Sequence, residues 1–257
     1  MAPILSASLV MYRCGGEIDV ALRCIQNADL EVSVFLADNS PDEMTAERLK
    51  WAFPGVVVIP QEKNVGLTRA HNAVLPELRS TYHLLMDPCV SFHPSLLRRM
   101  VSYMEAHPNI AILSPRFFDE NGDELFFPRR QLSVRSLLGC QLSPPLRGVF
   151  LRWRRDYTLS NHDVEMPTPV DSAPVVFMLI RTEIFRRLDG FDPHFVHTQE
   201  DADLCRRILD GRLGSIVYNP DLQVVLRPSE RTGALPSDRI HHYTSVARYF
   251  MKWGITW

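Results

Sequence analysis

Short apolar runs that alternate with helical patterns fill the first 115 residues, and they constrain the fold more than any other feature. We predict strands at 4–11, 32–38, 56–60, 82–87 and 110–115. The segments between them are predicted to be helices, at 16–28, 42–52, 66–79 and 94–106. This alternation is typical of βαβ units around a largely parallel sheet. The sequence therefore predicts an α/β fold with ligands at the carboxyl ends of the strands.

The composition excludes several classes of protein. The chain has 257 residues, of which 46% are hydrophobic and 23% charged, and its formal net charge is -2. These values are globular, and they exclude a disordered tail, a collagen-like chain and a small disulfide scaffold. Because the chain has no overall basic excess, we expect no nucleic-acid partner.

The cysteines and the lengths of the apolar runs bear on where in the cell the protein is found. Five cysteines are widely spaced and form no CxxC pair, so we expect neither a disulfide framework nor a structural zinc site. No stretch approaches the roughly 20 apolar residues that span a bilayer. We therefore expect a cytoplasmic protein, at most peripheral on the cytoplasmic face of the inner membrane.

The second half has a different pattern. A hairpin is predicted about Asn121-Gly122, followed by a loop-like stretch over 129–155 that is rich in Arg, Pro and Leu. Beyond it we predict a strand at 175–180, a helix at 182–188, a strand at 215–225 and an apolar stripe on a C-terminal helix. The helical segment QEDADLCRRILDG lies between those two strands.

One basic cluster stands out in the loop-like stretch. Its arginines are Arg147, Arg152, Arg154 and Arg155, with Phe150 and Trp153 among them. Such a cluster could contact a phosphate or a membrane surface, or it could be a solvated helix face with no ligand.

Three predicted strand ends carry polar residues. Asp38-Asn39-Ser40 follows the second strand, Asn64-Val65-Gly66 the third, and Asp87 closes the fourth. Because the carboxyl ends of parallel strands meet at one edge of the sheet, we expect these residues to converge on one crevice.

Familiar phosphate and hydrolase motifs are missing from the sequence. It contains no GxxxxGK[ST], GxGxxG, HExxH or GxSxG pattern, which disfavours P-loop kinases, classical dinucleotide dehydrogenases and enzymes with a serine elbow. What remains is a nucleotide-like crevice and a distant acidic cluster of Glu200, Asp201 and Asp203.

Four runs of the chain carry a family resemblance: VFLADNSPDE, NVGLTRAHN, LLMDPCVSFHPSLL and FMLIRTEIFRRLDGFDPHFVHTQEDADLCRRILDG. Together they resemble the family 2 inverting glycosyltransferases of GT-A fold, most of all bacterial rhamnosyltransferases of surface-polysaccharide synthesis. The resemblance covers about residues 4–225. It implies a Rossmann-like, mostly parallel sheet with helices on both faces. It also implies a nucleotide-sugar-binding half at 1–115, an acceptor-binding half with the catalytic base at 116–225 and a helical tail at 226–257, all in one continuous domain.

The resemblance also implies a donor site. Asp38, with Asn39 beside it, matches the family carboxylate that recognises the nucleotide base and ribose. The donor-lining NxGxxxxxN segment is matched by Asn64, Gly66 and Asn72. Arg69 and His71 lie on the same helix start, where either could reach a diphosphate or have only a surface role.

The implied metal site departs from the family pattern. The fourth strand of relatives ends in an acidic triplet that helps bind Mg²⁺ or Mn²⁺ on the donor diphosphate, and this chain has Asp87-Pro88-Cys89. A thiol is a poor ligand for a hard cation, so two alternatives are open: Asp87 holds the metal alone with waters, or the site is weakened or metal-free. Leu226 stands where many relatives have a histidine, and the adjacent Arg227, or His241 or His242, could supply positive charge in place of the metal.

In the acidic cluster, Asp201 matches the family's general base, which removes the proton of the acceptor hydroxyl. Glu200 and Asp203 are expected to support it, because close like charges raise a carboxylate's pKa. Three acids at a helix start also complement the helix dipole without any catalytic role. On the acceptor side, Ser172 and Val175 stand where the family commonly has a Trp and a Gly turn.

The implied function is inverting transfer of a sugar, with L-rhamnose from dTDP-rhamnose as the subgroup's example. The acceptor is a saccharide or a lipid-linked glycan in capsule or O-antigen assembly. Arg248, Lys252, Trp253 and Trp257 on the tail could touch a bilayer interface or pack on the core. Two alternatives stay open: a degenerate GT-A protein that binds a nucleotide or partner without turnover, and a nucleotidyltransferase.

Overall fold

The fold is a single mixed sheet flanked by helices. A computed structural model describes residues 3–12, 16–40, 43–125, 129–141, 147–159, 164–195, 198–228 and 236–255. The strands are β1 Leu5–Met11, β2 Val32–Asp38, β3 Val56–Pro60, β4 Tyr82–Met86, β5 Val90–Phe92, β6 Ile110–Phe118, β7 Glu124–Leu125, β8 Thr168–Pro169, β9 Phe177–Arg181 and β10 Ser215–Leu226. The helices are α1 Glu17–Gln26, α2 Glu43–Ala52, α3 Leu67–Asn72, α4 Leu96–Ala106, α5 Val134–Gln141, α6 Arg147–Thr158, α7 Thr182–Arg187, α8 Glu200–Asp210 and α9 Pro236–Trp253, with a 3₁₀ turn at Leu75–Glu77.

The order of the strands brings both predicted halves into one sheet. Within the described ranges the order is β3-β2-β1-β4-β9-β6-β10-β5, with β7 beside β6 and β8 beside β10. Strands β3, β2, β1 and β4 are parallel to their neighbours, as are β6 and β10. Strand β9 lies antiparallel between β4 and β6. The carboxyl ends of β1 to β4 therefore share one edge of the sheet. The predicted boundary between the two halves of the domain, at 115/116, stays a prediction.

Helices cover both faces of the sheet because its strands bury side chains on both sides. In β1, all seven residues are buried. Leu5, Ala7 and Leu9 pack in a cluster with the apolar stripes of α1 and α4. On the opposite face, α7 and α8 contribute Phe185 and Leu204 to a second cluster. Burying a leucine-sized side chain contributes roughly 1.5–3 kcal/mol, so these stripes hold the helices against the sheet.

A polar chain crosses the second of these faces. The ring of His83 hydrogen-bonds Ser6 Oγ through Nδ1 at 2.8 Å and Ser8 Oγ through Nε2 at 2.9 Å. Ser8 Oγ also hydrogen-bonds His71 Nδ1 at 2.9 Å. Burial lowers the pKa of each histidine to about 3, so both are neutral. This chain of hydrogen bonds fastens α3 to β1 and β4.

The helix predicted over 66–79 is shorter in the structure. Helix α3 ends at Asn72, a 3₁₀ turn with Pro near its start follows, and Leu78 is extended. Proline lacks the amide that a continuing helix needs, which explains the break at Pro76. At the end of α2, Trp51 is 89% exposed whereas Phe53 is buried.

The stretch predicted to be loop-like over 129–155 contains two helices, α5 and α6, and this prediction was wrong. The two helices pack closely at Gly139, where an added Cβ would lie only 2.8 Å from the backbone nitrogen of Arg154. The predicted hairpin about Asn121-Gly122 is confirmed, since Phe118 pairs with Glu124 across it. Short β5 and β8 were not predicted.

Candidate active site

The ends of β2 and β3 form a hydrogen-bonded crevice wall. Asn39 Nδ2 donates to Asn64 Oδ1 at 2.8 Å, and Asn39 Oδ1 accepts the Val65 N–H at 2.8 Å. Asp38 is buried, and its Oδ1 accepts the Ser40 N–H at 3.0 Å. The structure therefore brings Asp38, Asn39 and Asn64 together at the carboxyl edge, and their role in binding stays a prediction.

Gly66 allows the chain to turn from β3 into α3. Its φ of 84° and ψ of 166° define a backbone conformation open essentially to glycine alone. The Gly66 N–H donates to Asn64 Oδ1 at 3.0 Å, which fixes the turn to the crevice wall. Arg69 follows with an exposed side chain.

Two other residues of α3 form hydrogen bonds inside the protein. His71 is buried in the polar chain with Ser8, so a surface role for it was wrong, and its contact with a diphosphate stays a prediction. Its partner lies 63 residues away in sequence, which is why the motif did not reveal it. Asn72 Nδ2 donates to the Phe191 carbonyl at 2.7 Å, and Asn72 Oδ1 accepts the Phe191 N–H at 2.9 Å. Asn72 thus links α3 to the loop before α8.

The end of β4 offers one carboxylate, and the backbone of Arg227 pairs with the turn that follows it. Asp87 Oδ1 accepts the Cys89 N–H at 2.8 Å, and Cys89 is buried. The Arg227 N–H donates to the Cys89 carbonyl at 2.9 Å because β10 pairs with β5 there. The Arg227 guanidinium lies 3.7 Å from Glu120 Oε1, and both side chains are about half exposed.

The donor set near Asp87 is poor for a protein-built metal cage. Among the described residues, no group of three His, Cys, Asp or Glu side chains is placed to hold an ion. Magnesium is often held by one carboxylate together with substrate phosphates and waters. Asp87 fits that single-ligand role, whereas the soft Cys89 thiol does not.

Helix α8 begins with a pair of carboxylates in a strained setting. The residue before it, Gln199, has a φ of 70°, which is uncommon for a side chain other than glycine. Burial, together with the charge of Asp201, raises the pKa of Glu200 to about 8. Burial also raises the pKa of Asp201, but the Arg129 guanidinium opposes that rise. The two carboxyl groups therefore both bind protons more readily than free carboxylates do, and the cation of Arg129 acts on Asp201 alone.

The surroundings of Asp201 include two residues that the sequence did not single out. The Arg129 guanidinium lies 6.0 Å from the centre of the Tyr157 ring. Its charge lowers the pKa of Asp201 against the effect of burial, whereas burial and the charge of Asp201 both raise the pKa of Tyr157. The Arg129 backbone pairs with Ser172 as an isolated bridge. Nothing in the RR dipeptide at 129–130 points to Asp201, because the position of Arg129 depends on its pairing with the distant Ser172.

A cavity adjoins this carboxylate. Its volume is about 480 Å³, and Arg129, Tyr157, Gln199 and His242 are among its lining residues. Gln199 directly precedes α8, and the charge of Arg129 acts on the Asp201 carboxyl, so the cavity adjoins the start of α8.

Asp203 lies on another side of α8 and has different partners. Its buried carboxylate accepts from Arg207 Nε at 2.9 Å, from Lys252 Nζ at 2.7 Å and from Trp253 Nε1 at 2.9 Å. These contacts join α8 to the C-terminal helix α9. They are contacts of a structural carboxylate, and a supporting role for Asp203 beside the base stays a prediction.

The tail packs on the protein through residues that were candidates for bilayer contact. Lys252 also pairs with Asp192 Oδ2 at 2.7 Å, and Arg248 donates to the His194 carbonyl. Trp257 lies outside the described residues. The helices that the structure describes include none that is long and apolar enough to cross a membrane.

Comparisons with known proteins agree with this geometry. The profile of glycosyl transferase family 2 matches residues 6–188. N-acetylglucosaminyl-diphospho-decaprenol L-rhamnosyltransferase of Mycobacterium tuberculosis is 24% identical over 263 residues, which cover 94% of this chain and 82% of that protein. Amylovoran biosynthesis glycosyltransferase AmsE of Erwinia amylovora is 34% identical over 101 residues, or 38% of each chain.

Solved structures share the fold. GalNAc-T7 with UDP, GalNAc and Mn²⁺ aligns with a TM-score of 0.70 at 15% identity, over 97% of this chain and 48% of that one. Mannosyltransferase PcManGT of Pyrobaculum calidifontis with GDP-Man and Mn²⁺ aligns with a TM-score of 0.64 at 15% identity, over 98% and 64%. The chain thus spans about half to two thirds of these solved chains. By its motifs, its sheet and these likenesses, the chain belongs to glycosyltransferase family 2 and is a glycosyltransferase of GT-A fold.

Proposed function

We propose that this glycosyltransferase moves L-rhamnose from dTDP-rhamnose to a saccharide or lipid-linked glycan acceptor with inversion at the anomeric carbon. The proposal is supported by the pair of carboxylates, Glu200 and Asp201, at the start of α8, next to a cavity that Gln199 and Arg129 line. The sugar is supported by the rhamnosyltransferase relative at 24% identity. That relative's name includes a diphospho-decaprenol, which supports a lipid-linked acceptor.

In the proposed reaction, Asp201 accepts the proton of an acceptor hydroxyl held in the cavity. The oxygen of that hydroxyl forms a bond to the anomeric carbon while the bond from that carbon to the diphosphate oxygen breaks. Nucleoside diphosphate leaves with the bonding electron pair. A single displacement from the opposite face inverts the configuration, and a fixed carboxylate at a helix start is well placed for this proton transfer.

The donor is proposed to lie along the carboxyl edge of β1 to β4. Asp38 would accept hydrogen bonds from the base and ribose, with the Asn39–Asn64 pair and the Gly66 turn as the wall beside them. Exposed Arg69 would approach the diphosphate, and Asp87 would lie below it.

A panel of dTDP, UDP, GDP and CMP in a thermal-shift assay tests the donor class. A nucleotide at about 100 times its Kd stabilises the fold by about 2.7 kcal/mol, so dTDP is expected to raise the melting temperature by several degrees. A rise with another nucleotide instead would reject dTDP-rhamnose. Binding of dTDP without later transfer would favour a degenerate scaffold.

Positive charge at the leaving group is proposed to come in part from Arg227. When bound, Mg²⁺ or Mn²⁺ offsets the charge on a leaving diphosphate, and Asp87 is the residue that would hold it. Arg227 lies at the same strand end through its bond to Cys89. We expect transfer to persist in EDTA, and we expect Arg227→Gln to lower kcat/KM by about tenfold or more.

The matched control for that variant is Arg187→Gln, which removes an exposed arginine from α7. It is expected to leave kcat/KM within about twofold of the wild type. Loss of turnover in EDTA that Mn²⁺ restores, with Arg227→Gln unchanged, would contradict the role of Arg227.

A further inference from the structure

The strongest segregation of charge in the chain lies outside the donor crevice. Residues 129–158 contain seven arginines and a single acidic residue, Asp156, whereas the formal net charge of the chain is -2. This segment forms the loop before α5, then α5 and α6. A local excess of cations in a slightly acidic protein points to an anionic ligand rather than to solubility.

Part of this charge lines a cavity. Arg130, Arg135 and Arg152 converge on a space of about 610 Å³ together with Trp153 and Tyr157. The three arginines are exposed, and in the part of the chain that the structure describes none of them forms a salt bridge. Asp156 and Asp171 also line the cavity, and Asp171 accepts the backbone N–H of Gln131 at 3.2 Å.

Aromatic packing holds this basic surface in shape. The Arg135 guanidinium lies 5.9 Å from the centre of the Trp153 ring, and Trp153 packs on Phe150 with ring centres 4.9 Å apart. A guanidinium over an aromatic ring keeps its outer edge free to donate. Guanidinium forks match phosphate oxygens in pairs, so three of them around one cavity suit a phosphate or diphosphate.

The position of the cavity indicates which ligand's phosphate would bind in it. Ser136 and Tyr157 line both this cavity and the one beside Asp201, so the two spaces adjoin. A ligand with a sugar hydroxyl at Asp201 would therefore extend its other end toward the arginines. In the proposed reaction that ligand is the acceptor, not the donor.

We infer that Arg130, Arg135 and Arg152 form a subsite for the phosphate or diphosphate that joins the acceptor sugar to its lipid. This inference rests on the proposed function and deepens it by naming the acceptor as a phosphate-linked glycan. The apolar surface of Phe150 and Trp153 lies beside the subsite, where the start of an isoprenoid chain would follow the diphosphate.

The test is equilibrium binding of geranyl diphosphate, with geraniol as the uncharged probe and excess dTDP present to fill a nucleotide site. Wild-type protein is expected to bind geranyl diphosphate and not geraniol. Arg135→Gln and Arg152→Gln are each expected to raise its Kd by about tenfold or more, the effect of losing a charge-assisted hydrogen bond. Arg155→Gln removes an exposed arginine of the same helix that does not line the cavity, and its Kd is expected to stay within about twofold.

Vesicles of phosphatidylcholine and phosphatidylglycerol distinguish a bilayer headgroup from an acceptor phosphate. Under our inference, Arg152→Gln and Arg155→Gln affect vesicle binding alike, because such binding follows overall charge. Equal effects of the two variants on geranyl diphosphate, or no binding of it, would overturn the subsite. Because the assay needs no turnover, its result is separate from that of Asp201→Asn, which tests the proposed function itself.

Discussion

Replacing Asp201 by asparagine is expected to lower kcat by about 10²–10⁴-fold and to leave nucleotide affinity within about twofold of the wild type. An amide keeps the size of the carboxylate but cannot accept the acceptor's proton. Asp201 lies at the start of α8, where the charge of Arg129 acts on it, whereas the residues proposed for the donor lie at the ends of β2 to β4. Initial rates, with nucleotide Kd from calorimetry, measure both quantities.

The pH profile gives this prediction a second readout. Because burial raises the pKa of Asp201, kcat/KM of the wild type is expected to fall as the pH decreases through that raised value, where the base becomes protonated. The acidic limb should be absent from the residual activity of Asp201→Asn. The matched control is Asp210→Asn, an exposed carboxylate at the other end of α8, which should retain both rate and limb. An unchanged rate in Asp201→Asn would reject Asp201 as the base.

Replacing Asp203 by asparagine is expected to have the largest effect on stability, about 2–4 kcal/mol of the free energy of unfolding. The fully buried carboxylate pairs with Arg207 and Lys252 and accepts from Trp253. Removing one partner of a buried ion pair leaves the remaining charges uncompensated, which typically costs about 3–5 kcal/mol. The lower figure allows for the partial exposure of Arg207 and Lys252, whose cations stay in contact with water.

Urea unfolding of Asp203→Asn measures this effect, with Asp210→Asn as the control that should change stability by less than about 0.5 kcal/mol. At temperatures where the variant is folded, its kcat is expected to stay near that of the wild type. If Asp203→Asn had the stability of the wild type but no turnover, the structural role would be contradicted. Asp203 would then be assigned a role in catalysis beside Asp201.

The framework of the sheet was predictable because the strands of the first half are short apolar runs that alternate with helical patterns, and three of the runs are followed or closed by polar residues. The rule that ligands gather at carboxyl ends of parallel strands identified Asp38, Asn64 and Asp87. That the residues at the ends of β2 and β3 lie together could be inferred from the order of the strands alone, since β2 and β3 are neighbours in the sheet. The antiparallel position of β9 between β4 and β6 could not be predicted, because nothing in its apolar run indicates the direction of the strand.

The parts that could not be predicted depend on tertiary contacts. Helices α5 and α6 were missed because proline and glycine interrupt their apolar pattern, although Gly139 is what allows the two helices to approach. Trp51 is exposed because α2 turns Phe53 into the core instead. Arg129 lies beside Asp201 although 72 positions separate them in the chain, and no periodicity in the sequence reports such a contact.

The measurement that tests the central claim most directly is proton NMR of the product formed from dTDP-L-rhamnose and a short-chain alkyl N-acetylglucosaminyl diphosphate. Inverting transfer predicts a rhamnoside whose anomeric configuration is opposite to that of the donor, formed at the same rate as dTDP is released. It also predicts that Asp201→Asn forms almost none. A product with retained configuration, or binding of dTDP by the wild type with no product at all, would contradict inverting transfer by this protein.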